Sequence, residues 1–198
     1  MNKLYRLLVI FIPLFILGCT PNVFEENKIT KEINNLNLNI FSKNGDKKYS
    51  IKSPYSTYNN LINKFQFQET TINIFDEGKT KFIINSDKAI LSDNNKLVEL
   101  EGNVKLKTIN QNEDYLFADN FIWNIDETNY LLTGNIKFEN KNVILTSGKA
   151  IMGSDNIIEF FNPVKYIIKD ENNDNKYEIK SENAYYNLNT EAVSFQAK

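Results

Sequence analysis

A chain of 198 residues makes one domain or at most two, and 41% hydrophobic with 13% aromatic residues is enough for a folded core. A formal net charge of −2 leaves no basic surplus for nucleic acid. The absence of histidine removes the commonest general base and metal ligand, and a single cysteine, Cys19, excludes an intrachain disulfide and a cysteine metal cluster.

The first segment, residues 1–19, reads MNKLYRLLVIFIPLFILGC. Lys3 and Arg6 precede an apolar run from Leu7 to Leu17, then Gly18 and Cys19. A short basic stretch, a short apolar stretch and a small residue form a secretory signal. A spanning helix needs about 20 apolar residues, more than this run offers. The ending ILGC resembles a bacterial lipobox, which implies cleavage after Gly18 and diacylglycerol on the Cys19 sulfur. The alternative is an uncleaved signal anchor in which Cys19 is incidental. Residues 20–35 are polar and punctuated by Pro21, and read as a linker. As a flexible coil its sixteen residues reach roughly 20–24 Å. Ile29, Ile33 and Leu36 offer a second reading, one face of a short helix.

From residue 36 to 198 the chain repeats itself. LEGNVKL at 100–106, LTGNIKF at 132–138 and FFNPVKY at 160–166 are variants of one heptad of letters. Each has an upstream companion: SDKA at 86–89, ADNF at 118–121 and SGKA at 147–150, with SENA at 181–184 and a degenerate SPYS at 53–56. Between the members of each pair lies a turn signal: Asn59-Asn60, Asp93 to Asn95, Asp126 to Asn129, Ser154 to Asn156, and Asn187 to Thr190. Asn and Asp tolerate left-handed backbone and bond their own turns, so each unit reads as strand, turn, strand.

The second strand of each unit alternates. Val98, Leu100, Gly102, Val104 and Leu106 share one face, and Tyr130, Leu132, Gly134, Ile136 and Phe138 repeat it. Strict alternation predicts half-buried antiparallel strands. Gly102 and Gly134 sit mid-strand, where glycine marks a bulge, a bend or a close backbone approach; Pro163 takes part in the same bend of the third copy. Stacked bent hairpins give an all-β fold, an open β-jelly roll or bent antiparallel hairpin solenoid, whose units cover their apolar faces only against neighbours.

Catalysis finds little support. A serine triad lacks its histidine. The carboxylate pairs Glu113-Asp114 and Asp126-Glu127 fall in expected turns and should be solvated. Asp170, Asn172 and Asp174 begin like a calcium loop, but Asn175 stands where the sharp-turn glycine belongs and Ser181 where the bidentate Glu belongs. Trp123, with Phe117 and Phe121 placed on the same face, reads as core, and Asp119 interrupting that face suggests a strand near an edge or mouth. No catalytic residue, metal site or cofactor is expected.

The units DKAILSDNNKLVELEGNVKL and ADNFIWNIDETNYLLTGNIKF, behind a membrane-directed N-terminus, resemble the LptC family of lipopolysaccharide export proteins over roughly residues 49–198. The related LptA proteins and the periplasmic domain of LptD use the same repeat. The LptC family is usually anchored by a transmembrane helix, and a lipobox departs from that. The resemblance implies an open β-jelly roll with acyl chains in its interior. It also implies docking between an inner-membrane ABC transporter and an LptA-like periplasmic bridge protein, on the periplasmic side of the inner membrane.

On that reading Val98, Leu100, Val104, Leu106, Phe121, Trp123, Tyr130, Leu132, Ile136, Phe138, Phe160, Val164 and Tyr166 are candidates to line the lipid groove. Val193, Ser194 and Phe195, in a final strand expected near Glu191 to Ala197, are candidates for the edge that docks the bridge protein. The first strands, near Leu36–Ile40 and Tyr49–Ile51, would face the transporter. The rival readings are a structural or partner-binding β-solenoid lipoprotein, or an LptA-like bridge protein, without lipid transfer, and a surface glycan-binding or hydrolytic module. A dry, closed core would favour the structural reading; convergent carboxylates in a cleft would favour the glycan module.

Overall fold

The computed structural model describes residues 30–109, 114–127, 129–169 and 175–196. The strands are β1 (Thr30–Phe41), β2 (Lys47–Asn59), β3 (Lys64–Asp76), β4 (Lys79–Ser92), β5 (Leu97–Thr108) and β6 (Tyr115–Asn124). They continue as β7 (Asn129–Glu139), β8 (Val143–Met152), β9 (Ile157–Lys169), β10 (Asn175–Asn187) and β11 (Val193–Gln196). All eleven lie in one antiparallel sheet in chain order. Among the described residues no helix is long and apolar enough to cross a membrane.

The repeated units are the hairpins β2–β3, β4–β5, β6–β7, β8–β9 and β10–β11, with β1 paired in front of the first. The Asn-rich turns are real and bond their own backbone. Asn59 Oδ1 accepts from the amides of Leu61 and Ile62, and Asn187 Oδ1 from those of Asn189 and Thr190. The linker expected through residue 35 is shorter, because β1 is already paired at Thr30 with Asn59. The helical reading of Ile33 and Leu36 fails for the same reason: they lie in a strand, opposite Ser56 and Ser53. The signal segment, Cys19 and residues 20–29 lie outside the described residues.

Hairpins β4–β5 and β6–β7 bend at one level, and the repeated letters make the bend. In β5, Gly102 has φ +78° and Asn103 +45°; in β7, Gly134 has +76° and Asn135 +45°. Two successive left-handed residues form a bulge that turns the strand and increases its twist. The ladder slips there on both sides, between Glu101 and Val104 and between Thr133 and Ile136. The preceding strand fills the kink with an aspartate. Asp87 Oδ2 accepts from Asn103 Nδ2 at 2.8 Å, and Asp119 Oδ2 from Asn135 Nδ2 at 2.8 Å. A Cβ on Gly102 would stand 2.6 Å from that Asp87 oxygen, and one on Gly134 2.5 Å from that of Asp119. Glycine is therefore required twice over at each bend, by φ and by space.

In four of the five companion motifs a serine closes the other side of the bend. Ser53, Ser86, Ser147 and Ser181 each donate a hydroxyl hydrogen bond to the carbonyl two residues on, at 2.6–3.0 Å. The inward face of the first strand then changes phase: Ser86 is followed inward by Ala89, and Ala118 by Phe121. Phe117 consequently lies on the outer face, opposite Lys105 and Lys137, and not beside Phe121 and Trp123 as the uninterrupted alternation suggests. Asp119 marks this bend in a central strand rather than an edge or a mouth.

The bend divides the sheet into two halves that fold onto each other. The halves meet offset along the strand order. Tyr49 of β2 packs edge-on against Trp123 of β6, Phe82 of β4 against Tyr130 of β7, and Phe138 of β7 against Tyr186 of β10. Among the described residues, backbone proximity, by contrast, links only strands adjacent in sequence. Away from the bends, through which each strand runs on, side chains make the contacts between the halves.

Candidate functional site: the apolar interior and its seam

The inward alternation of β2 to β10 builds one continuous apolar core. All the residues read as groove lining lie in it: Val98, Leu100, Val104 and Leu106 from β5, Phe121 and Trp123 from β6, Tyr130, Leu132, Ile136 and Phe138 from β7, and Phe160, Val164 and Tyr166 from β9. Most are closely packed, at 0–2% exposure, while Trp123, Tyr130 and Tyr166 keep 5–9%. The less buried members are informative because Trp123 and Tyr130 stand at the seam between the halves.

There a groove of about 320 Å³ opens, with Ile74, Phe82, Trp123 and Tyr130 in its wall and Lys48, Asp76 and Lys81 among its polar residues. Lys81 Nζ is 3.5 Å from an Asp76 carboxylate oxygen, and Lys96 and Asp126 pair at 2.8 Å in the adjacent turns. Asp126 is therefore an exposed ion-pair member, with its carboxyl held below the usual range by the Lys96 hydrogen bond. Burial pushes the Tyr49 and Tyr130 hydroxyls up to about 12, so both stay neutral at physiological pH. The Tyr49 hydroxyl donates to the carbonyl of Asn95 in the β4–β5 turn at 3.1 Å.

The far end of the interior is closed by a polar cluster that the sequence did not announce. Asp114, expected in a solvated turn, is 1% exposed. It accepts from Asn140 Nδ2 at 3.1 Å, and the same amide reaches the Tyr186 hydroxyl at 2.8 Å. The Asn140 side-chain oxygen in turn accepts from the amides of Asn142 and Val143, which fixes the β7–β8 turn. An aspartate beside a loop looks solvated in sequence, and only the folding of the two halves covers it.

A second concavity, about 570 Å³, lies on the opposite face of the sheet. Its walls are outward cross-strand ladders, Gln66–Ile90–Glu99–Ile122 and Gln68–Lys88–Glu101–Asn120–Thr133. The intervening inward residues Phe67, Ala89, Leu100 and Phe121 are 0–2% exposed and belong to the core. Glu99 and Glu101 are the carboxylates in this concavity, and Lys88 faces Glu101 across the strands.

The C-terminal edge is incomplete. β11 covers β10 only from Asn183 to Tyr186. Val193 packs against the core, whereas Ser194 and Phe195 are exposed. Phe195 still touches Tyr166, with ring centroids 5.3 Å apart. Among the described residues, the other half of β10 pairs with β9 alone, and its inward-phase Tyr177 and Ile179 remain 62% and 41% exposed. The sequence placed the edge in β11 and missed this part of β10, since nothing local says that the covering strand is four residues long.

Comparison with known proteins gives one family match. The profile described as "Lipopolysaccharide-assembly, LptC-related" matches residues 14–146. No curated protein matches. Among solved structures, LptH of Pseudomonas aeruginosa is similar at a TM-score of 0.45 and 6% identity, over 52% of this chain and 74% of that one. It is described as the LptA-homologous periplasmic component of the conserved lipopolysaccharide transport device.

Proposed function

The chain belongs to the LptC-related family of lipopolysaccharide-assembly proteins, and from that premise we propose that it is a membrane-anchored periplasmic carrier that takes lipopolysaccharide acyl chains between the halves of its sheet. The observation that carries this reading is the way the halves are joined. Among the described residues, ladder hydrogen bonds run only between sequence neighbours, and the contacts across the interior are side-chain contacts such as Phe82–Tyr130 and Tyr49–Trp123. The halves can part at the seam without breaking the sheet, and acyl chains would replace one apolar surface by another. Lys48 and Lys81 at the seam suit the phosphates of the headgroup. Holding and passing a lipid requires no reacting group, and the energy would come from an inner-membrane ABC transporter.

A photo-crosslinker placed inward at Ile136 or Tyr130 is expected to capture lipopolysaccharide in cells, and one placed outward at Lys137 or Leu131 is not. Equal capture on both faces would overturn the carrier. No capture anywhere would favour the second reading, a partner-binding β-solenoid, which the close packing of Leu100, Phe121 and Leu132 supports.

We further propose that the bare half of β10 and the end of β11 receive the LptA-like bridge protein. A strand added there satisfies free backbone groups and covers Tyr177, Ile179 and Phe195. The β1 side would face the transporter. Attachment would be through Cys19, whose acyl chains anchor stably when two or more are present. An intact mass still containing residues 1–18 would overturn the lipoprotein reading and leave an uncleaved anchor.

A further inference from the structure

We propose that the β2–β3 turn is a membrane-contacting tip, in which Leu61 and Ile62 enter the outer layer of a lipid bilayer. The inference rests on the membrane anchoring proposed above, and adds a second contact made by the folded domain itself. Leu61 and Ile62 are 73% and 63% exposed, more than any other large apolar residue described. They depart from the repeat. The corresponding described turn residues are Asp93, Asn94 and Asn95, Asp126 and Glu127, Ser154, Asp155 and Asn156, and Asn189 and Thr190. Ile125 and Leu188 also stand in turns but are buried, and among the described residues the first turn alone exposes two aliphatic side chains.

The tip is held in shape. Asn59 Oδ1 accepts from both the Leu61 and Ile62 amides, Asn63 Nδ2 donates to Asn94 Oδ1 at 3.0 Å, and Tyr58 donates to Asn63 Oδ1 at 3.0 Å. A turn fixed this way loses little further freedom on binding. Behind it, Tyr58 and Phe65 stack at 4.4 Å, and Lys31 and Lys64 flank it in the sheet. Apolar residues at a tip, aromatics behind and lysines beside match the layering of a bilayer interface.

The occupant is fixed by where the chain enters the fold. Thr30, the first residue of β1, pairs with Asn59 at the base of this turn. Ten residues separate it from Cys19, a reach of at most about 40 Å. An anchor at Cys19 therefore holds this end of the sheet near the membrane. A convex two-residue tip has no groove to offer a folded partner, whereas a bilayer accepts it directly.

The test uses the full-length protein in vesicles of native inner-membrane lipids, with the environment-sensitive fluorophore NBD at Leu61→Cys or Ile62→Cys, and at Asn189→Cys in the last turn as control. The expected result is blue-shifted emission at 61 and 62, quenched more by acyl-chain spin labels than by headgroup labels, with Asn189→Cys in water. Unlabelled Leu61→Glu/Ile62→Glu, at exposed positions, should keep the wild-type melting temperature and bind vesicles of the same lipid more weakly after the N-terminal segment is released by proteolysis. Aqueous emission at all three sites on vesicle-bound protein overturns the tip and leaves the anchor standing. Protein recovered in the aqueous phase overturns both. Protection of Leu61→Cys that appears only when the transporter is added overturns the bilayer in favour of a protein contact.

Discussion

Along its N-terminal side the sheet is covered from end to end: β1 pairs with β2 from Thr30 to Phe41. Along its C-terminal side β11 covers four residues of β10 and stops. The inward residues differ accordingly. Ile72 and Ile84, inside the sheet, are fully buried, while Tyr177 and Ile179, in the same phase of the same alternation, face solvent. The offset between the halves explains the difference. The half-strands that carry Tyr49, Phe82 and Phe138 are covered by strands three or four places further along, and among the described residues no strand stands that far beyond β10. The difference teaches that burial in this architecture depends on the neighbour across the fold. An end of such a sheet therefore leaves inward-phase apolar residues exposed.

The sharpest way to break this comparison is to truncate matched inward residues. Phe138→Ala, in the packed interior, should cost about 3–5 kcal/mol, whereas Ile179→Ala should stay within about 0.5 kcal/mol; denaturant unfolding reads both. Equal losses would mean that the C-terminal half of the interior is as tightly closed as the rest.

The bends come next. Gly134→Val forces a β-branched residue into left-handed backbone against Asp119 and should cost roughly 2–4 kcal/mol. Gly148→Ala, in the strand where glycine stands in place of that aspartate, meets nothing within 4 Å and should be near neutral, within about 0.5 kcal/mol. A neutral Gly134→Val would mean the bend is not a fixed feature. Removing the partner instead, Asp119→Ala, loses the Asn135 hydrogen bond and should cost about 1 kcal/mol.

At the edge the expected effect moves from stability to binding. Tyr177→Glu with Ile179→Glu should leave the melting temperature unchanged and, on the docking proposed above, weaken binding of an LptA-like bridge protein, measured by titration calorimetry. Wild-type affinity would put the docking edge elsewhere. The smallest effect concerns acid. The Glu178 carboxyl is held below its ordinary range first by the Lys165 hydrogen bond, at 2.8 Å, with Lys180 adding to it. A depressed folded-state value contributes stability above the unfolded carboxylate range, lost as pH falls through the folded value. The pair is exposed, so Glu178→Gln should remove only a faint acid dependence, itself weakened by salt.

The sequence by itself determined much of this protein. Alternation in Val98 to Leu106 and Tyr130 to Phe138 set the inward face, and Asn and Asp set the turns, because side-chain period and turn chemistry are local properties. Gly102 and Gly134 announced the bends for the same reason. What the sequence left undecided depended on strands far apart in the chain. The phase change that sends Phe117 outward follows from a slip in pairing. The beginning of β1 at Thr30 follows from its partner Asn59, for its own letters read equally as linker or helix. Burial of Asp114 and exposure of Tyr177 and Ile179 were decided only when the two halves met, since the side chains across the interior come from strands three or four places away, and no local pattern records which of those strands exists.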